Sequence, residues 1–134
     1  MNYNDELKHY GVLGMKWGIR HDPVRETKDV NRRLKRRERQ INSLRRKSAK
    51  LERKSTKNEL RAVSGLRTEF SDARMRKAIR QRAKAKKYSF KAERRIQVGQ
   101  KIAKKYLKLT QDIPMDNIDQ KQVDYIKEWA RTRL

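Results

Sequence analysis

Side chains able to bind a metal, attack a bond or shuttle a proton are scarce in this sequence. Its 134 residues include two histidines and no cysteine, which excludes a disulfide framework, a thiol nucleophile and a thiolate metal site. His9, His21 and Asp22 are the nearest approach to a metal-binding set, but the two histidines lie far apart and a fourth ligand is missing, so no metal is expected. The His9-x-Gly11-x-x-Gly14 spacing has the outline of a phosphate-cradling loop. It lacks a preceding strand, a Gly-Lys-Ser/Thr ending and a following dinucleotide fold. No nucleophile paired with a base and no carboxylate pair in an apolar setting can be assembled. The expectation is a protein that is not an enzyme, with no catalytic residue, no cofactor and no small-molecule substrate.

Positive charge is abundant instead. Lys and Arg number 39 against 16 Asp and Glu, for a net charge of +23. Residues 1–30 balance five basic against five acidic side chains, and residues 109–134 hold four against five. Residues 31–108 hold 30 basic and 6 acidic residues, a net of +24 that accounts for the whole imbalance. Charge at this density repels itself unless a polyanion relieves it. Non-specific contact with nucleic-acid phosphates is the expected relief, with docking on an acidic protein surface or plain solvation as alternatives. The expected phosphate contacts are Arg32, Arg33, Lys35, Arg36, Arg37 and Arg39, then Arg45, Arg46 and Lys47 in a tract reaching Lys54, then Arg80, Arg82, Lys84, Lys86 and Lys87.

The elements that must carry these cations read as helices. With 34% hydrophobic and 7% aromatic residues, a self-contained compact core is improbable, and an elongated or partner-stabilised helical protein fits better. From Thr27 to about Leu66 the residues are strong helix formers. Val30, Leu34, Ile41, Leu44 and Leu51 trace a coiled-coil seam of heptad spacing, broken where Arg37, Ser48 and Ser55 should complete it. So broken a seam predicts little autonomous pairing and a chain only partly ordered without its partner. Leu60, Val63, Leu66 and Phe70 restart an apolar stripe, expected to pack on an antiparallel neighbour or on a partner.

Gly65 and the stretch from Glu69 to Asp72 predict a turn, with Ser71 or Asp72 capping a second helix from about Ala73 to Leu109. Its apolar groups are Met75, Ile79, Ala83, Phe90, Ile96, Ile102, Tyr106 and Leu109, and Gly99 is expected to bend it. The tract from Arg80 to Lys87 would present basic side chains on nearly every side. Pro114 ends this helix. A last helix starts with Asp119 as cap, Gln122 closing a capping box, and Ile118 with Val123 as a hydrophobic staple. Its face of Val123, Ile126 and Ala130, widened by Tyr125 and Trp129, predicts either a partner-docking helix built on Tyr125, Ile126 and Trp129 or packing on the preceding helix. The expected fold is all-α: a Gly-rich irregular segment (1–28), two elongated basic helices (29–70 and 71–110), then a loop and a short neutral helix (111–134).

The N-terminal segment is built differently. Three of the five glycines and one of the two tryptophans fall between Leu7 and Arg20. Gly11, Gly14 and Gly18 permit close backbone approach, while Tyr10, Val12, Leu13, Met15, Trp17 and Ile19 supply apolar anchors. This predicts a docking peptide comprising His9, Tyr10, Gly11, Gly14, Met15, Lys16, Trp17 and Gly18, with Trp17 as anchor. The alternative is that Trp17 folds back on the Leu60–Phe70 stripe.

The run His9-Tyr-Gly-Val-Leu-Gly-Met-Lys-Trp-Gly-Ile-Arg20 resembles the His-x-Gly-x-x-Gly-Met-Lys-Trp-Gly motif found near one end of many small or modular structural proteins of tailed bacteriophages and prophages of Gram-positive bacteria. The motif covers about a tenth of the chain. The basic helical stretch, the Tyr-containing helix and the short terminal helix resemble those proteins as well. The resemblance implies a virion or head-assembly protein that contacts DNA and docks on a capsid, portal or neck protein. An adaptor binding an acidic protein surface and a small host-cytoplasm nucleic-acid-binding regulator are the alternatives. No run of about 18 apolar residues and no signal-like stretch is present, so no membrane is expected and the chain is placed in the virion, or in the host cytoplasm during assembly.

Overall fold

The computed structural model describes residues 23–65, 69–112 and 118–133, and among them the fold is all-α. Helix α1 spans Pro23–Val63, α2 Glu69–Gln111 and α3 Gln120–Thr132. At about 1.5 Å per residue the first two are roughly 60 Å long. They run antiparallel as a hairpin, and α3 packs on both at the end where α1 begins.

The hairpin is organised by a seven-residue repeat. On α1 the buried positions are Thr27, Leu34, Ile41, Ser48, Ser55 and Ala62; on α2 they include Ala78, Ala85, Ala92, Gly99 and Tyr106. Strict sevens on both helices make a continuous inward face. Ser48 and Ser55 are therefore members of the seam and not gaps in it. Each hydroxyl donates across the interface, Ser48 Oγ to the Ala85 carbonyl at 3.1 Å and Ser55 Oγ to the Ala78 carbonyl at 2.9 Å. A side chain reaching the opposite backbone at these distances requires closely approaching helices, which the facing alanines permit. Arg37 is half-buried at the seam's edge, beside the core and not within it.

The small inward residues displace the large ones expected there. Met75, Ile79, Phe90 and Leu109 are exposed, as is Ala83, whereas Ile96 and Ile102 are half-buried and Tyr106 is buried. Leu60, Val63 and Phe70 are also exposed and do not form a packed stripe on the neighbouring helix; Leu66 lies outside the described residues. The tract from Arg80 to Lys87 is not basic all round, because Ala85 faces the core and Gln81 is half-buried.

Helix boundaries shift for local reasons. Pro23 opens α1 four residues before Thr27, its fixed φ suiting the first turn where its missing N–H costs nothing. The boundary expected at residue 28 thus falls inside a helix. Thr27 is buried and returns its hydroxyl to the carbonyls of Pro23 and Val24, both at 2.9 Å. Ser71 and Asp72 do not precede α2. They lie in its first turn, where polar and acidic side chains are also favoured.

At the base, Asp119 caps α3 through its carboxylate, which accepts from the Lys121 N–H at 3.1 Å. No capping box forms, since Gln122 Oε1 is buried without a partner. Ile118 and Val123, the two staple positions, are both buried. Pro114 lies outside the described residues.

Trp129 is 1% exposed and stands against Gly99, where an added Cβ would come within 1.9 Å of Trp129 Cη2. The α2 helix continues through Gly99, whose missing side chain makes the room that Trp129 fills. Ile126 and Trp129 are thus core residues and not a partner-facing surface. Together with Leu34, Ile41, Ala92, Ala103, Tyr106 and Ala130 they form one buried cluster.

Candidate nucleic-acid interface

Beyond the narrow buried stripe and the half-buried positions that flank it, the helices face solvent, and most of the cations occupy that surface. Arg32, Arg33, Lys35, Arg36, Arg39, Arg45, Arg46 and Lys47 on α1 are exposed, as are Arg80, Arg82, Lys84, Lys86 and Lys87 on α2. Arg37 alone of the expected contacts is half-buried. The candidates do not converge on one site. They are distributed along and around the rod.

Three glutamates of α1 are segregated. Glu38, Glu52 and Glu59 are separated by multiples of seven and so lie along one edge of α1. Each is engaged there. Glu59 Oε2 meets Arg82 at 3.1 Å and its Oε1 accepts from Ser55 Oγ at 3.3 Å. Glu52 Oε1 accepts from Ser48 Oγ at 3.3 Å. Glu38 accepts from the Tyr125 hydroxyl at 2.8 Å and pairs with Arg133 at 2.7 Å, tying α3 to this edge.

The Tyr125 hydrogen bond, assisted by Arg133, holds the Glu38 carboxyl below its usual range despite partial burial. Burial first, then the Glu38 carboxylate, push the Tyr125 phenol well above its usual value, while Lys35 Nζ stands 5.3 Å from its ring centroid. Burial likewise raises Tyr106, whose hydroxyl reaches the Pro23 carbonyl at 3.4 Å. These tyrosines are locks between helices, not proton donors to a ligand.

The outward face of α1 bears Arg32, Arg39, Arg46 and Arg53 at strict intervals of seven, a ladder with Arg36, Lys50 and Lys57 interleaved. Lys50 and Arg53 fall within the tract expected to reach Lys54; Lys57 extends it, and its seven-residue interval from Lys50 was the signal that could have singled it out. Where α3 meets α1, Lys28, Arg32, Lys35, Arg36, Arg39 and Lys121 surround a cleft of about 810 Å³ whose rim also carries Asp119. Such a surface can hold phosphates by charge, but it presents no element shaped to read base edges.

Among the described residues no group of three His, Asp or Glu side chains could hold a metal, and no helix is long and apolar enough to cross a membrane. The residues of the expected docking motif, His9, Tyr10, Gly11, Gly14, Met15, Lys16, Trp17 and Gly18, lie outside the described residues, as do His21 and Asp22. Neither a curated protein nor a solved structure matches the chain. A family model described as "Family of unknown function (DUF7211)" matches residues 1–24, the segment that ends where α1 begins.

Proposed function

We propose that this chain is a structural protein of a tailed-phage virion, whose helical hairpin lies along nucleic acid as a sequence-independent polyanion binder. Residues 1–24 hold it to a capsid, portal or neck protein. It acts without catalysis, in the particle and in the host cytoplasm while the particle is assembled. The observation that carries the reading is the charge distribution: residues 31–108 bear a net of +24 on a rod whose core uses almost none of its cations. Counterion release on phosphate contact is the largest favourable term open to such a surface. The match over residues 1–24 supports treating that segment as a unit with its own role.

Gel shifts with duplexes of unrelated sequence provide the test. Equal affinity for each duplex is expected, falling about 10³-fold or more between about 50 and 200 mM salt if roughly 6–10 phosphates are contacted. Absence of binding at the lower salt would end the nucleic-acid reading in favour of an acidic protein surface. Trp17→Ala is expected to leave DNA affinity and helicity intact while abolishing incorporation into particles. Normal incorporation would remove the docking role.

A further inference from the structure

The two edges of the hairpin differ in charge, and the difference follows from its register. The Ser48–Ala85, Ser55–Ala78 and Asn58–Gln81 hydrogen bonds, with that between Gln40 and Arg95, set which residues of α1 and α2 stand opposite one another. On the edge that includes Glu38 and Glu59, opposite charges meet and α3 covers the base. On the other edge the same register sets Lys47 opposite Lys91, Lys54 opposite Lys84 and Arg61 opposite Lys77, all exposed. The series lapses at Gln40 and Val98 and resumes at Arg33 and Lys105, which line one cleft together with Glu26 and Asp29.

Between these rows the floor is half-buried and includes Arg37, Tyr88 and Arg95. From Arg33 to Arg61, and from Arg74 to Lys105, no carboxylate of the described residues falls on this edge. Like charges directly opposed across two packed helices destabilise the pairing they flank. Glu26 and Asp29 reach this edge only at the base, in the cleft of Arg33 and Lys105, whereas Glu38, Glu52 and Glu59 serve the other edge; from Lys47 to Arg61 the facing cations have no carboxylate among them.

We infer that this cationic edge, whose carboxylates Glu26 and Asp29 stand only at its base end, is a seat for a phosphodiester backbone running along the hairpin between two rows of cations. The inference rests on the nucleic-acid reading above and specifies where the strand lies. The seat is 28 residues of helix long, about 42 Å, somewhat more than one turn of duplex at roughly 34–36 Å. Its rows come from both helices, so a bound phosphate chain bridges charges that otherwise push α1 and α2 apart. It also opposes the edge occupied by α3, leaving its whole length open. An acidic polypeptide has the same sign of charge but a weaker claim, because the paired rows suit a chain of regularly spaced charges.

Two variants that remove equal charge test this with a random-sequence duplex of about 25 base pairs as probe. The first is Lys47→Gln, Lys54→Gln, Lys84→Gln and Lys91→Gln together; the second is Arg36→Gln, Arg39→Gln, Arg46→Gln and Arg53→Gln on the outward ladder. Each lost phosphate contact lowers the slope of log affinity against log salt by about 0.9. The edge variant is expected to lose a slope of about 3 or more, the ladder variant less than about 1. The edge variant should also melt at a higher temperature than the parent when free and gain less from added duplex, while Lys→Arg at the same four positions keeps the parental slope. Equal losses in the two variants, or the larger loss in the ladder, would overturn the seat and leave duplex binding by the hairpin standing. Failure of the parent protein to shift the duplex would instead remove the nucleic-acid reading and the seat with it. Competition by polyglutamate as strong as that by duplex, at equal charge, would overturn the assignment to phosphodiester.

Discussion

The base and the tip of the hairpin share one seven-residue repeat and fill it differently. At the base, Leu34, Ile41, Tyr106, Ile126 and Trp129 meet between three helices and bury large side chains. Toward the tip, two helices face each other through the small residues Ser48, Ser55, Ala62, Ala78 and Ala85, with hydroxyl-to-carbonyl hydrogen bonds in place of apolar bulk. Burying a Leu or Phe-sized side chain contributes about 1.5–3 kcal/mol, and a net hydrogen bond about 0.5–1.5 kcal/mol. The base is therefore the anchor of the fold. The tip is thinly held yet crowded with cations, so its order depends most on what neutralises them.

The strongest way to break this comparison is at Trp129. Trp129→Ala is expected to cost about 3–5 kcal/mol, the range for deleting a buried aromatic, and chemical denaturation followed by circular dichroism measures it. A loss below about 1 kcal/mol would show that the base does not anchor the chain.

Gly99→Ala should come next, at about 1–3 kcal/mol from overpacking against the indole. Combined with Trp129→Leu it should cost less than the two separate losses added together, because the clashing ring is gone; a double-mutant cycle reads this coupling. Strict additivity would separate the glycine from the tryptophan.

Ser48→Ala and Ser55→Ala are each expected to cost about 1 kcal/mol. The loss should be local, with hydrogen exchange accelerating near residues 48–62 and 78–92 while the amides of the base keep their protection. Acceleration spread evenly along both helices would mean that tip and base unfold as one unit.

The smallest effect is electrostatic. Because the folded state holds Glu38 below its unfolded pKa of about 4.5, this interaction is fully present above that value and is lost as pH falls through the lower folded value. Trp129 fluorescence should report α3 loosening in that acid window, and Glu38→Gln should flatten that part of the profile. Tyr125 acts at the other extreme: its raised pKa makes stability decline as pH rises above about 10.

Much of this architecture is legible without coordinates. Helix-forming residues over two long stretches, Asp119 as a cap and the confinement of charge to residues 31–108 follow from local preference and counting. The inward face of the tip was not legible by the same means. A search for large apolar residues marks Met75, Ile79 and Phe90, which are exposed, and passes over Ala78, Ala85, Ser48 and Ser55, which are buried. Alanine is common on either side of a helix, and a serine hydroxyl reads as polar until an acceptor on the facing helix is known.

The sequence by itself determined that the chain is helical, that its middle repels itself and that its N-terminal segment is of different composition from the rest, because propensity, charge and composition belong to residues regardless of their neighbours. Tertiary structure decided everything that depends on which residue faces which. Gly99 is room for Trp129, and Ser48 and Ser55 are seam instead of interruption. Glu38, Glu52 and Glu59 fall on one edge while facing cations fall on the other. The register of two antiparallel helices sets these relations, and register arises from packing between segments distant in the chain, which no local pattern within either helix contains.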